Sequence, residues 1–358
     1  MLKDEGGPVH FNLISNNWKE FTDKFIDVKP IFYYGFCSEL PDIPTGLKLV
    51  LLVEKGCKFS DMQISQINEF CKKYNCVYLE NMNNADQRIQ YSIPYCTMVK
   101  HGQRKLLSAD LMIYVGGPYS EYNICQVKAK RLWKVGRDQG KFIDPFKNLD
   151  AVFDMEFGMF LGNYIEKGCS DDTSFFNSLK LVYNQVYEVQ QRKDLPFSNI
   201  WIAKQMSSIL PQGSKAYFSV LNTYRSWNYW RCPQVETHFK NGGGYGIDGI
   251  MSAVIGSSLV SDKLHFCFIG DSAFFYDMNS LGIHYIKGNL RICILNNGCC
   301  IEFGNPGHYC KRFQNQPWHK EIMMAQGHYG SKSRNLVRHY SEDLGFKYLY
   351  ASNKEEFE

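Results

Sequence analysis

Several things are missing from this 358-residue sequence. No apolar run approaches the length needed to span a bilayer, and the first residues, MLKDEGGPVHFNL, hold no apolar core of a signal peptide. No CxxC pair occurs, so neither a zinc ribbon nor a thioredoxin-type redox motif is written into the chain. Cys299, Cys300, His308 and Cys310 fall close together, but their spacing fits no common zinc pattern. No internal repeat or low-complexity tract is present, and the Gly116-Gly117 turn lacks the full GxGxxG pattern. The formal net charge is only +4, which gives no electrostatic case for nucleic acid or a membrane surface as partner.

What is present is globular: 44% hydrophobic and 21% charged residues. Thirteen cysteines are scattered, some inside apolar runs (Cys267, Cys293), as small buried hydrophobes of a reducing compartment would be. A cytoplasmic protein is expected. The length calls for two domains.

The stretch from 241 to 303 carries the chemistry. Leu264–Ile269 is an apolar run read as a buried strand, closed by Gly270-Asp271. Ala273–Ile283 has helical apolar spacing, and Leu290–Leu295 is a second strand-like run, closed by Asn296-Asn297. Strand, helix, strand at this length is a βαβ unit. Both polar clusters then fall at strand C-termini, where open α/β sheets bind ligands. A carboxylate (Asp271) and an amide oxygen (Asn297) are hard donors suited to Mg2+ with phosphate oxygens. Gly270 permits close backbone approach, and the N–H groups of Ser272 and Ala273 open a helix that favours an anion. The residues alone read as a Mg–diphosphate site.

The pattern GDS, 24 residues between Asp271 and Asn296, then NN resembles the signature of thiamine diphosphate-dependent enzymes. Gly246-Ile247-Asp248-Gly249 and the GPVHFN segment at Gly7–Asn12 bring the resemblance nearest to the menaquinone-pathway 2-succinyl-5-enolpyruvyl-6-hydroxy-3-cyclohexene-1-carboxylate synthases. It covers residues 1 to about 350 and is dense only between 217 and 303.

The resemblance implies an α/β protein with two doubly wound parallel-sheet domains. Residues 1–15 would be the end of a pyrimidine-binding (PYR) domain and 16–45 a linker. A Rossmann-like central domain would follow at 46–166, and a diphosphate-binding domain at 167–358. Expected strands include 47–53, 77–80, 111–115, 132–135, 217–221 and 346–350, with a helix at 200–210.

Carried over residue by residue, Asp271, Asn297 and the Cys299 carbonyl would hold Mg2+. Tyr245, Gly246, Ile247, Gly270, Ser272 and Ala273 would contact the cofactor, with Ile247 as the wedge that bends it. Thr223, Arg225 and Gly243 would face substrate, and Glu302 and His308 are candidate proton donors. Asn305 and His328, in the Gly327–Gly330 loop, could also reach the site. The activating glutamate would come from a PYR domain on a partner polypeptide or a longer chain, in a dimer or tetramer. The activity implied is decarboxylation or carboligation of a 2-oxoacid.

The chain departs from that branch at Gly242, where an arginine is expected, and at Cys299-Cys300, where a Gly-Gly pair is expected. Without that bidentate carboxylate clamp, a 2-oxoacid pathway other than the isochorismate one is expected. Two competing functions remain. One is a binding or regulatory module that keeps the diphosphate site without turnover. The other is a Rossmann-type nucleotide binder using Gly116-Gly117, a pair that also reads as a tight turn.

Overall fold

The computed structural model describes residues 29–36, 38–53, 59–80, 86–116, 126–137, 144, 146–168, 171–239, 246–306, 308–326, 333 and 335–358. Residues 1–15, Gly117, the 241–245 loop with Gly242, Gly243 and Tyr245, and the Gly327–Gly330 loop with His328 lie outside the described residues.

Eleven described strands run through the chain: β1 Phe32–Tyr34, β2 Leu49–Val53, β3 Cys76–Glu80, β4 Ser92–Pro94, β5 Ala109–Val115, β6 Ala129–Val135, β7 Leu149–Phe153, β8 Lys215–Phe218, β9 Glu236–Phe239, β10 His265–Gly270 and β11 Leu290–Leu295. The described α-helices are α1 Asp61–Lys73, α2 Tyr95–Lys100, α3 Phe157–Ile165, α4 Ser174–Arg192, α5 Asn199–Ile209, α6 Asn222–Trp227, α7 Ile250–Leu259, α8 Asp271–Asp277, α9 Leu336–Asp343 and α10 Lys354–Phe357.

Two wholly parallel sheets result, one ordered β1-β7-β6-β5-β2-β3-β4 and the other β11-β10-β8-β9. This is the expected α/β architecture. β2, β3 and β7 are buried at every residue, as strands covered on both faces must be. Their period of two divides the side chains: Leu49, Leu51 and Val53 enter one core while Val50 and Leu52 enter the other. In the second sheet, Cys267 and Ile269 face one core and Phe268 the opposite one.

Local signals explain the element ends. Ser60 accepts from the Gln63 N–H at 3.3 Å while Gln63 Oε1 accepts from the Ser60 N–H at 3.0 Å, a reciprocal cap that starts α1. Pro211 turns Leu210 out of helical geometry and stops α5.

Two elements pack across the limits expected for the central domain. β1 lies inside the stretch expected as linker, yet it pairs with β7 at the sheet edge. α4 lies beyond 166, yet Phe175, Leu179 and Tyr183 bury themselves against the first sheet together with Val50 and Leu52. The layers around the first sheet therefore extend from Phe32 to Arg192. One expectation is corrected: residues 346–350 form no strand. Phe346 packs on the second core, but Leu349 and Tyr350 are exposed, so no paired ladder is built there.

Candidate functional site

In the second sheet, β8 connects through α6 to β9 on one side, while β10 and β11 lie on the other. The strand order therefore reverses between β8 and β10, and the crevice beyond their C-termini is where doubly wound sheets take ligands. The tips of β8, β10 and β11 meet there.

β10 and β11 pair in register from His265↔Leu290 to Gly270↔Leu295. Asp271 thus emerges one residue past the sheet and Asn297 two residues past it on the next strand. Asp271 Oδ2 accepts the Gly298 N–H at 2.8 Å, which fastens one tip to the other. Gly298 has φ +70°, a left-handed conformation that glycine takes without strain, so the chain can turn its N–H toward the acid. Asn297 Oδ1 accepts the Cys299 N–H at 3.1 Å, and the side chain is otherwise exposed. The Cys299 carbonyl accepts the Ile301 N–H at 3.1 Å, which leaves a second lone pair on that oxygen.

Asp271 is buried, and burial pushes its carboxyl above the usual range, against backbone N–H groups of Ser272, Gly298 and Asp271 that hold the charged form. Burial is also the main reason why the Cys299 thiol is raised, with the Asp271 charge adding to it. A desolvated carboxylate at a strand tip, with an amide oxygen and a carbonyl in the adjoining turn, is a donor set of hard oxygens that fits a small divalent cation.

Gly270 has an ordinary extended backbone, φ −73°, and a Cβ placed on it meets nothing within 4 Å. Neither strain nor packing inside the chain calls for glycine there. The space a side chain would fill is left open beside Asp271.

The β8 tip adds two features that no sequence signal marked. Ser219 Oγ accepts the Gly270 N–H at 3.4 Å and joins the tips of β8 and β10. Leu221 then sits at φ +66°, ψ −121°, a conformation largely reserved for glycine, just ahead of α6. Pattern reading extended this strand to 221; the sharp turn instead ends it at Phe218.

Of the other candidates, Thr223 is buried in α6. Arg225 Nη1 pairs with Glu302 Oε2 at 2.5 Å, both side chains about one-seventh exposed (15% and 14%). Glu302 also accepts from Asn305 Nδ2 at 3.1 Å. Ser272 Oγ lies 3.3 Å from Cys300 Sγ, and Ala273 is buried. Ile247 is half-buried against the core that holds Ile250, Met251 and Ile269, while Gly246 is exposed. His308 Nδ1 accepts the Cys310 N–H at 3.1 Å, and its ring meets Phe303 edge-on, so it caps a 3₁₀ turn. Trp227 and Trp230 are core residues. Among the described residues no three His, Cys, Asp or Glu side chains gather to hold a metal ion, and no helix is long and apolar enough to cross a membrane.

No protein-family model matches the chain. Among curated proteins it is similar to the 2-succinyl-5-enolpyruvyl-6-hydroxy-3-cyclohexene-1-carboxylate synthase of Phocaeicola vulgatus, 28% identical over 226 residues, covering 63% of this chain and 38% of that protein. The synthase of the same name from Bacteroides fragilis is 36% identical over 107 residues, 30% of this chain and 19% of that protein. The one from Flavobacterium johnsoniae is 27% identical over 201 residues, 54% of this chain and 36% of that protein. The chain therefore spans less than two fifths of the length of these relatives. The resemblance read from the GDS and NN motifs holds at this level.

Proposed function

Starting from that similarity, we propose that this chain carries the Mg–diphosphate end of a thiamine diphosphate site and serves the decarboxylation or carboligation of a 2-oxoacid. The observation that carries the reading is the Asp271–Gly298 tie, which holds a buried carboxylate beside Asn297 at a strand-order reversal. Asp271, Asn297 and the Cys299 carbonyl would hold Mg2+. The open side of Gly270 and the N–H groups of Ser272 and Ala273 would receive the diphosphate. Ile247, braced against the core, would support the bend of the cofactor. Bound thiamine diphosphate supplies the electron sink that lets a 2-oxoacid lose CO2.

The chain's own residues then have separate tasks. Arg225 orients a substrate carboxylate, and Glu302, beside it, is placed to give or hold a proton. The same reading takes the activating glutamate from a PYR domain, on a partner polypeptide or in a longer chain, within a cytoplasmic dimer or tetramer. A second reading, a module that binds the cofactor without turnover, is favoured by one observation: Glu302 Oε2 already serves both Arg225 and Asn305.

Calorimetry tests the reading. Thiamine diphosphate should bind only with Mg2+ present, and Asp271→Asn, which keeps an oxygen for the Gly298 N–H, should abolish the heat. Binding that survives in Asp271→Asn sinks it. Release of CO2 from a 2-oxoacid after a PYR-domain chain is added separates the enzyme from the silent module.

A further inference from the structure

α7 packs over the face of the second sheet that carries Tyr217, Cys267 and Ile269. At the start of the strands, one row on that face reads Leu290, His265, Lys215, Glu236 across β11, β10, β8 and β9. His265 is fully shielded from solvent (0% exposed), a costly place for a ring that can take up a proton.

The two ring nitrogens have fixed roles. Nδ1 lies 2.7 Å from the Lys263 carbonyl, which can only accept, so Nδ1 carries the hydrogen. Nε2 lies 3.0 Å from Ser257 Oγ, on α7. In the neutral ring Nε2 is then the acceptor, and the Ser257 hydroxyl donates. Ser257 Oγ in turn accepts from Lys215 Nζ at 3.5 Å. Donation runs one way, from Lys215 through Ser257 and His265 to the Lys263 carbonyl.

A proton on Nε2 breaks that order. The Ser257 O–H must turn away, and its oxygen then faces two cations, Lys215 and the imidazolium. α7 itself carries no charged residue. Lys263 adds positive charge from the approach to β10, and Glu236 on β9 opposes it. Glu236 also lies 3.2 Å from His238 Nε2, whose ring stacks on Tyr217 at 4.6 Å; Tyr217 stacks on His265 at 6.2 Å.

Other bonds hold α7 and its exit. Asp277 accepts the Ser252 N–H at 2.9 Å and the Ser252 O–H at 2.7 Å in the first turn. Asn289 Nδ2 donates to the carbonyls of Ser258, Ser261 and Lys263. The amide bonds of Asn289 do not respond to acid; the His265 bond does.

We infer that His265 is an acid-sensitive latch on the end of α7. Neutral, it fastens Ser257 to β8 and β10; protonated, it opposes Lys215 and lets that end go. α7 starts directly after Gly246–Gly249, so the latch acts on the helix behind the segment proposed above to meet the cofactor. The latch itself does not depend on that reading.

Its sign follows from the surroundings. Burial lowers the His265 pKa from its ordinary 6.5; the Lys215 and Lys263 charges act the same way, against the Lys263 carbonyl and Glu236. The unfolded chain therefore takes up the proton first. The contribution to stability is whole above 6.5 and is lost as pH falls from there through the folded value.

NMR of the imidazole nitrogens and hydrogen exchange on the whole chain, without cofactor, test this. At about pH 7.5 the His265 ring should be the Nδ1–H form. Between about pH 7.5 and about pH 5, amides 256–259 should lose protection at least about threefold beyond the intrinsic effect of pH. His265→Gln, which takes up no proton, should abolish that loss. Lys215→Met should raise the titration point of the ring and shrink the loss, and it decides the matter if His265→Gln does not fold. An Nε2–H ring at neutral pH, protection at 256–259 that acid leaves unchanged, or a loss as large in either variant as in wild type overturns the latch. None of these outcomes bears on the thiamine diphosphate titration.

Discussion

Arg225 and Glu302 are 77 residues apart in sequence and 2.5 Å apart in space, in a pair largely shut off from water. The pair ties α6, at the tip of β8, to the turn that follows Asn297. It therefore links the two strand ends on either side of β10. Taking one member of a buried pair leaves the other charge without compensation. Arg225→Met and Glu302→Met should each lower stability by about 2–3 kcal/mol, and the double variant by clearly less than their sum. Urea denaturation of the four proteins measures the coupling.

Gly270 separates packing from binding. Gly270→Ala meets open space at an ordinary backbone angle, so its stability should match wild type within about 0.5 kcal/mol. Its affinity for thiamine diphosphate with Mg2+ should fall at least about tenfold, since the added methyl occupies the space the diphosphate needs. Melting curves and calorimetry on one preparation check both halves.

Asp271 gives a pH dependence with a definite sign. Burial raises its folded pKa above the unfolded value, so the native state holds its proton longer. Stability of the cation-free protein should fall as pH rises from the ordinary carboxylate range through the raised value, and Asp271→Asn should remove that fall. Mg2+ with thiamine diphosphate should restore stability to wild type only. Thermal melts across pH, with and without cofactor, measure it.

Glu80, at the end of β3, shows the same sign more strongly. Burial pushes its carboxyl up to about 8, despite hydrogen bonds from Ser92 and the Asp86 N–H that favour the charged form. Its contribution falls away as pH climbs from about 4.5 to 8. Glu80→Gln should flatten the stability profile in that window and be the more stable protein at its upper end.

Leu221 carries a backbone conformation that a side chain resists. Leu221→Gly should be neutral or stabilising by about 1 kcal/mol, as relief of strain outweighs the entropy of glycine, and Leu221→Ala should be destabilising. Denaturant midpoints of the two variants decide it.

Much of the architecture could be read from pattern because parallel strands buried on both faces are continuous apolar runs: LVLLV at β2 and HFCFIG at β10 are unmistakable. β1, β4 and β9 were not legible, being three or four residues long and polar or aromatic; their pairing depends on neighbours distant in sequence. At the site, Asp271 and Asn297 stood out because two polar clusters closed two apolar runs. Ser219, Leu221 and the Glu302 partnership did not. A serine at a strand end, a leucine with positive φ and an ion pair across 77 residues leave no local trace.

The Asp271 acid is gripped by main-chain amides, so no neighbouring side chain has to be kept for its sake except the bare hydrogen at 298. The two thiols that follow could be exchanged for other small groups, retuning polarity at the mouth of the crevice while the anchor beneath stays in position.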